Sequence, residues 1–246
     1  MLWLSAGRKK YPRYWMLPGF NESGLPMESQ DLILPDQKNY EYAYKLAYKL
    51  ASEKLTGIDD IEQQCRNSDS QYRVSGKRRE IIVRYLNQSY RITIPDVEVS
   101  LLDSAEEVPI REKVLILHYF TSAKGTPTTG KLITFRELPE GKVYSPTFSK
   151  RTIKPLIDNF GEEPHRLLEI SQKLGGLEAD FGDAAVTVNA FSRVPITIVL
   201  WQGDDELAPQ GNILFDASIS DYLSTEDITI LCETITWKLV RHLKAA

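Results

Sequence analysis

Acidic residues crowd one short stretch of this chain. Gln202-Gly-Asp-Asp-Glu206 sets Asp204, Asp205 and Glu206 just behind the aromatic Trp201, and Asp216 follows after Asn212-Ile-Leu-Phe215. Carboxylates that converge at strand ends bind a hard cation, or divide acid and base roles where their environments differ. Those four residues therefore define a metal-assisted hydrolase or lyase as one reading. A solvated Gly-Asp turn running into a Pro/Gly loop explains the same spelling and is the simpler account, because spacing alone does not make side chains converge.

Residues 125–131 read Gly-Thr-Pro-Thr-Thr-Gly-Lys, close to a phosphate-binding loop. Such a loop needs backbone amides around the phosphates, a lysine, and a hydroxyl behind it for magnesium. Leu132 stands at the hydroxyl position. The setting is also reversed, since this stretch leaves a helical pattern and enters a strand-like one, with no helix N-terminus to aim at an anion. Gly125 reads as a helix-capping glycine and Thr126-Pro127 as turn chemistry. Nucleotide binding of this type is excluded, and Lys131 remains one exposed charge.

The three histidines, His118, His165 and His242, are far apart, and neither HExxH nor paired CxxC occurs. His118 lies in the most apolar helical stretch and reads as a hydrogen-bonded core histidine. With only Cys65 and Cys232, neither a disulfide framework nor an all-cysteine metal site is expected. No G-x-S-x-G elbow supports a serine nucleophile.

Thirty basic against 34 acidic residues leave a charge of −4 over 246 residues, so no overall pull toward nucleic acid is expected. The longest apolar run, Ile196–Trp201, is too short to span a bilayer, and the opening residues lack a signal-peptide pattern. A cytoplasmic location follows as the expectation. Residues 1–35 mix Arg8, Lys9, Lys10 and Arg13 with Trp3, Tyr11, Tyr14 and Trp15. A basic–aromatic arm of this kind stacks on single-stranded nucleic acid in some proteins, but the stretch reads as an irregular extension.

The elements that must position these side chains begin at Asp36. It caps a predicted helix with Tyr40, Ala43, Tyr44, Ala47, Leu50, Ala51 and Leu55 on one face, ended by Gly57. Tyr40, Tyr42, Tyr44 and Tyr48 on that helix read as packing residues. A hairpin is predicted from Glu80–Leu86 and Tyr90–Ile94 about an Asn-Gln-Ser turn. A buried helix opens at Pro109, and Leu132–Leu138 reads as a strand. Helices follow from Ser149 to Gly161 and from Pro164 to Gly175, then strands Ala184–Phe191 and Pro195–Trp201. A last helix starts at Ser224 with Asp227 at capping-box spacing. Short turns between strands, and no repeated βαβ unit, predict a single α+β domain over residues 36–246, with an antiparallel sheet and about five helices.

Several motifs occur in order: Ile116-Leu-His-Tyr-Phe120, Thr134-Phe-Arg-Glu-Leu-Pro-Glu-Gly141, Tyr144-Ser-Pro-Thr-Phe148, Leu174-Gly-Gly176 and Phe181-Gly-Asp-Ala-Ala185. Val194-Pro-Ile through Glu206, and Asn212–Asp216 through Tyr222–Asp227, complete the series. Over about residues 38–235 the chain resembles the bacterial family known as domain of unknown function 3786. The resemblance implies a link to the cofactor handling of anaerobic bacteria, with a corrinoid or tetrapyrrole as the ligand class. Some members carry a four-cysteine iron–sulfur segment; the extension here has no cysteine, so no iron–sulfur cluster is expected. The leading expectation is a non-enzymatic accessory domain that binds a small ligand. His118, Tyr119, Phe135, Arg136, Tyr144, Trp201 and Asp204 would line its pocket, with His118 as axial ligand to a corrinoid or haem. A third reading is a protein-interaction module presenting a tyrosine-rich face on the first helix.

Overall fold

The computed structural model describes residues 37–76 and 78–246. The basic–aromatic arm, the Asp36 cap and the side chain of Tyr40 lie outside the described residues. The chain divides after Ala47. Of the first unit only residues 37–47 are described, the opening turns of helix α1 (Gln37–Thr56), where Lys45 pairs with Glu41 at 2.6 Å.

The second unit, Tyr48–Ala246, carries the sheet and its helices. Helix α2 (Ile61–Ser68) precedes a meander of four strands: β1 (Gln71–Ser75), β2 (Arg78–Tyr85), β3 (Gln88–Ile94) and β4 (Val99–Leu101). The expected hairpin is β2–β3. Its turn is two residues, Leu86 and Asn87, both at positive φ, the twist that a two-residue hairpin loop demands. Helix α3 (Ile110–Ser122) follows Pro109, then β5 (Leu132–Thr134). The predicted strand stops at Thr134 because Glu137 folds back on Thr134 in a capping box and starts a 3-10 turn.

The helix expected from Ser149 begins earlier. Helix α4 (Gly141–Phe148) runs through a π turn (Ser149–Ile153) into α5 (Lys154–Phe160). A Cβ on Gly141 would collide with the Phe135 carbonyl oxygen, so only glycine starts that helix there. Helix α6 (Arg166–Ser171) leads to β6 (Gly176–Glu178), β7 (Ala184–Phe191), β8 (Val194–Trp201) and β9 (Gln210–Asp216). Helix α7 (Thr225–Lys244) closes the fold with the predicted Ser224–Asp227 capping box. Among the described residues no helix is long and apolar enough to cross a membrane.

All pairings are antiparallel, in the order β4-β3-β2-β7-β8-β9-β5, with β1 added beside β2 and β6 beside β7. The second unit is thus α+β, built on an antiparallel sheet. Helix α3 packs on β2, α6 on β7 and α5 on β9, while α7 rests on α3, α5 and α6. The interior strand β8 is buried nearly end to end.

The two halves of the sheet meet at one point. Tyr85 of β2 pairs with Phe191 of β7, and the amide of Leu86 donates to the Ala190 carbonyl at 3.0 Å. Beyond that point β1 and β6 occupy the diverging edges. Aromatic rings fill the junction: Tyr85 lies 4.9 Å from Phe191, and Phe191 stacks on Tyr119 of α3 at 4.0 Å, with Tyr222 beyond at 5.9 Å. Phe191→Ala removes the ring that touches both neighbours. It is expected to lower stability by about 3–5 kcal/mol in urea unfolding, the range for a buried aromatic truncated to alanine.

Candidate functional site

Helix α7 positions an unusual polar group in the core wall. The Ser224 hydroxyl accepts the Asp227 amide at 3.1 Å and donates to Asp227 Oδ2 at 2.6 Å. These bonds fix the Asp227 carboxylate as part of the helix cap. Its other oxygen, Oδ1, lies 2.8 Å from Nδ1 of His118 on α3. In the tautomer protonated at Nδ1, that nitrogen donates to the carboxylate and Nε2 carries the lone pair. Among the described residues Nε2 has no hydrogen-bond partner, and the His118 side chain keeps 31% of its surface exposed. The expected core histidine is thus half-buried, with one nitrogen tied to protein and the other open.

Charged groups surround the pair. Glu226 is exposed, yet its carboxyl is pushed up to about 7 by lost hydration and the neighbouring Asp227, against the pull of His118 and Arg151. Arg151, in the π turn, reaches Glu233 Oε2 at 2.5 Å, and Arg111 of α3 reaches the same oxygen at 2.5 Å. Lys54 of α1 donates to the Ser122 hydroxyl at 3.0 Å; desolvation lowers its pKa while Asp227 pulls the other way. An open imidazole nitrogen beside a carboxyl that titrates near neutrality can donate to a ligand or move a proton.

The other pocket candidates are dispersed. Tyr119 is fully buried, its hydroxyl donating to the Ser68 carbonyl at 2.7 Å. Phe135 is 3% exposed and stacks on Phe148 at 3.9 Å. Both are packing residues. Arg136 is exposed, as are Tyr144 on α4 and Trp201 at the end of β8. Tyr42 of α1 is exposed, whereas the Tyr48 hydroxyl donates to the Val97 carbonyl at 2.9 Å.

Asp204 makes the Gly-Asp turn, accepting from the amides of Glu206 at 2.9 Å and Leu207 at 2.7 Å, and these bonds lower its pKa. Asp205 and Glu206 are exposed beside it. Asp216 lies at the other end of β9, whose opening residue Gln210 pairs with Trp201. Six residue steps at about 3.4 Å put Asp216 roughly 20 Å away along the strand. The structure does not bring it to the 204–206 cluster. Among the described residues no group of three or more His, Cys, Asp or Glu side chains is arranged to hold a metal ion.

Asp216 instead occupies the loop whose spelling suggests a phosphate cradle. Its carboxylate accepts from the amides of Thr129 at 3.0 Å, Gly130 at 2.7 Å and Ser218 at 2.9 Å. The hydroxyls of Thr129 at 3.0 Å and Ser218 at 2.7 Å complete the set. Gly130, at φ +71, supplies the turn that points two successive amides inward. The loop does run from helix to strand, but α3 ends at Ser122 with Ala123 as its cap, rather than at Gly125. Gly125 has its own reason to be glycine, since it sits at φ +80 and a Cβ there would lie 2.9 Å from Asn67 Oδ1.

Sequence reasoning assigned Asp227 only to the helix cap and did not single out Glu226 or Arg151. A signal existed for the first: a cap carboxylate has a second oxygen to spare. Its partner lies 109 residues earlier, a distance that no local pattern bridges.

A family model described as Domain of unknown function (DUF3786) matches residues 60–237, most of the chain. Neither a curated protein nor a solved structure matches it.

Burial alone would raise the Asp216 pKa, but the bonds from Thr129, Ser218 and Gly130 outweigh it and hold the carboxyl at about 2, below the ordinary 3.8. That shift stabilises the fold at pH values above about 4 and is lost as pH falls through about 2. Asp216→Asn is expected to cost about 2 kcal/mol at pH 7 in urea unfolding, with the gap to the parent protein closing between about pH 4 and 2.

Proposed function

The chain belongs to the DUF3786 family, and we propose that it is a small-ligand-binding accessory domain whose donor atom is His118 Nε2. The observation that carries this reading is the 2.8 Å contact between His118 Nδ1 and an Asp227 carboxylate that is itself fixed by a helix cap. Histidines that ligate a metal are oriented in this way, with the far nitrogen on a carboxylate and the near one free. Glu226 and Arg151 add one titrating carboxyl and one cation beside the imidazole.

A corrinoid or haem is the ligand class we favour. The donor chemistry fits such a metal centre: His118 would hold it through Nε2, with the Asp227 carboxylate fixing the ring from the Nδ1 side. When bound, such a macrocycle supplies metal-centred redox and ligand-exchange chemistry. The protein's part is to present Nε2, hold the Nδ1 proton and set the charge around the site. The metal-assisted hydrolase reading is less favoured, because β9 separates Asp216 from Asp204, Asp205 and Glu206. The interaction-module reading has the exposed Tyr42 as its support.

Anaerobic purification followed by a visible absorption scan, and titration with hydroxocobalamin and with haem, tests the proposal. Binding is expected to raise the melting temperature and shift the absorption bands, and His118→Ala is expected to abolish the band shift and weaken binding by about tenfold or more. An unchanged spectrum and melting temperature with both macrocycles removes this ligand class. Unimpaired binding by His118→Ala removes His118 as the donor.

A further inference from the structure

Where the two halves of the sheet part, an open cleft of about 370 Å³ forms, and it shares no lining residue with the His118 site. Its walls come from the turns that the divergence requires. Asp69 ends α2, Arg84 and Asn87 flank the β2–β3 turn, Gly175 precedes β6, and Asn189 and Ser192 stand at the end of β7. The pairing of β7 with β8 slips between Asn189 and Phe191, a bulge of the kind that re-aims a side chain. Gly175 sits at φ +71, and a Cβ there would lie 3.0 Å from Asn87 Cγ, so glycine suits both the left-handed backbone and the close approach of Asn87.

The lining chemistry is specific. Asp69 and Arg84 both face this one small volume, yet no ion pair joins them, and neither has an ion-pair partner among the described residues. Arg84 makes only a long 3.4 Å bond to Asn87 Oδ1. The side chains of Asp69, Asn189 and Ser192 have no hydrogen-bond partner among the described residues. Groups of both charges therefore line one cleft without an ion-pair partner, and the cleft is near the lower end of the size range of small-molecule sites. Asp69 is also held in place: the Tyr119 hydroxyl grips the carbonyl of Ser68 next to it, and the Asp69 amide bonds back into α2.

We infer that this cleft binds a small zwitterion of the free α-amino acid class, its carboxylate on the Arg84 guanidinium and its ammonium on Asp69. A guanidinium offers the planar fork that matches a carboxylate, and a carboxylate takes up an ammonium. Asn87, Asn189 and Ser192 supply the remaining hydrogen bonds. A multiply charged phosphate would also suit Arg84, but the Asp69 carboxylate in the same cleft repels it. A purely cationic ligand meets the converse problem at Arg84.

The common L-amino acids, screened singly by thermal shift, provide the test. At least one is expected to raise the melting temperature, by roughly 5–10 °C at about 100 times its Kd. Isothermal titration then compares that amino acid with its N-acetyl and decarboxylated analogues, each expected to bind about tenfold or more weakly. Arg84→Gln and Asp69→Asn, both at exposed positions, are expected to fold with an unchanged circular dichroism spectrum and to lose binding. His118→Ala is expected to bind the amino acid as the parent protein does, which separates this site from the His118 proposal. The inference is overturned if no amino acid shifts melting, or if either analogue binds as tightly as the free zwitterion. Undiminished binding by both folded variants would also overturn it, and the analogue comparison stands on the parent protein even if a variant does not fold.

Discussion

The Tyr85–Phe191 junction is the constraint on which the rest of this fold depends. Two antiparallel meanders share a single register pair there, and a backbone bond from Leu86 to Ala190 reinforces it. So slight a seam holds because aromatic packing does what further ladder bonds would do elsewhere. Phe191 stacks on Tyr119 of α3, and Tyr85 packs against both Phe191 and Tyr90. Helix α3 is thereby fixed to the seam from one side, and the same helix carries His118. The divergence that limits the seam to one pair also opens the polar cleft. A longer β2–β7 ladder would leave no space between β1 and β6.

Two buried carboxylates show how similar chemistry takes different roles. Asp216 receives six hydrogen bonds, four of them from the Thr129–Gly130 turn, so its capacity is used up in joining β9 to that loop. The loop is anion-binding in the physical sense, and its anion is a side chain of the same protein. Asp227 spends one oxygen on its helix cap and turns the other toward His118. The first arrangement is closed and stabilising. The second transmits the rigidity of α7 to an imidazole whose outer nitrogen stays open.

Much of the fold is legible in local pattern. The β2–β3 and β7–β8 hairpins, the Pro109 helix and the Ser224 capping box follow from alternation, turn residues and cap spacing. Elements that run for only a period or two of their own pattern are not legible: β1, β4, β6 and the early start of α4 at Gly141 have too few residues to show it. The apolar run of β9 reads as the spacer between two acidic sites rather than as a strand. The candidate site is less legible still. His118 stands out as the one histidine in an apolar helix, but Tyr119 and Phe135, its neighbours in the recognisable motifs, are packing residues. Motifs mark what the fold needs as well as what the function needs.

By itself the sequence determined the family, the α+β class and the rejection of Gly125–Lys131 as a phosphate loop, because each rests on residues close together in the chain. Only the tertiary structure decided which polar groups meet. Asp227 reaches His118 across 109 residues, and Asp216 reaches Thr129 across 87. Asp204, by contrast, bonds no further than Leu207. The physical reason is that side-chain chemistry acts over about 3 Å, whereas sequence spacing reports distance only along an element; which ends of which strands and helices coincide is set by the packing of Tyr85, Phe191 and Tyr119 at the seam.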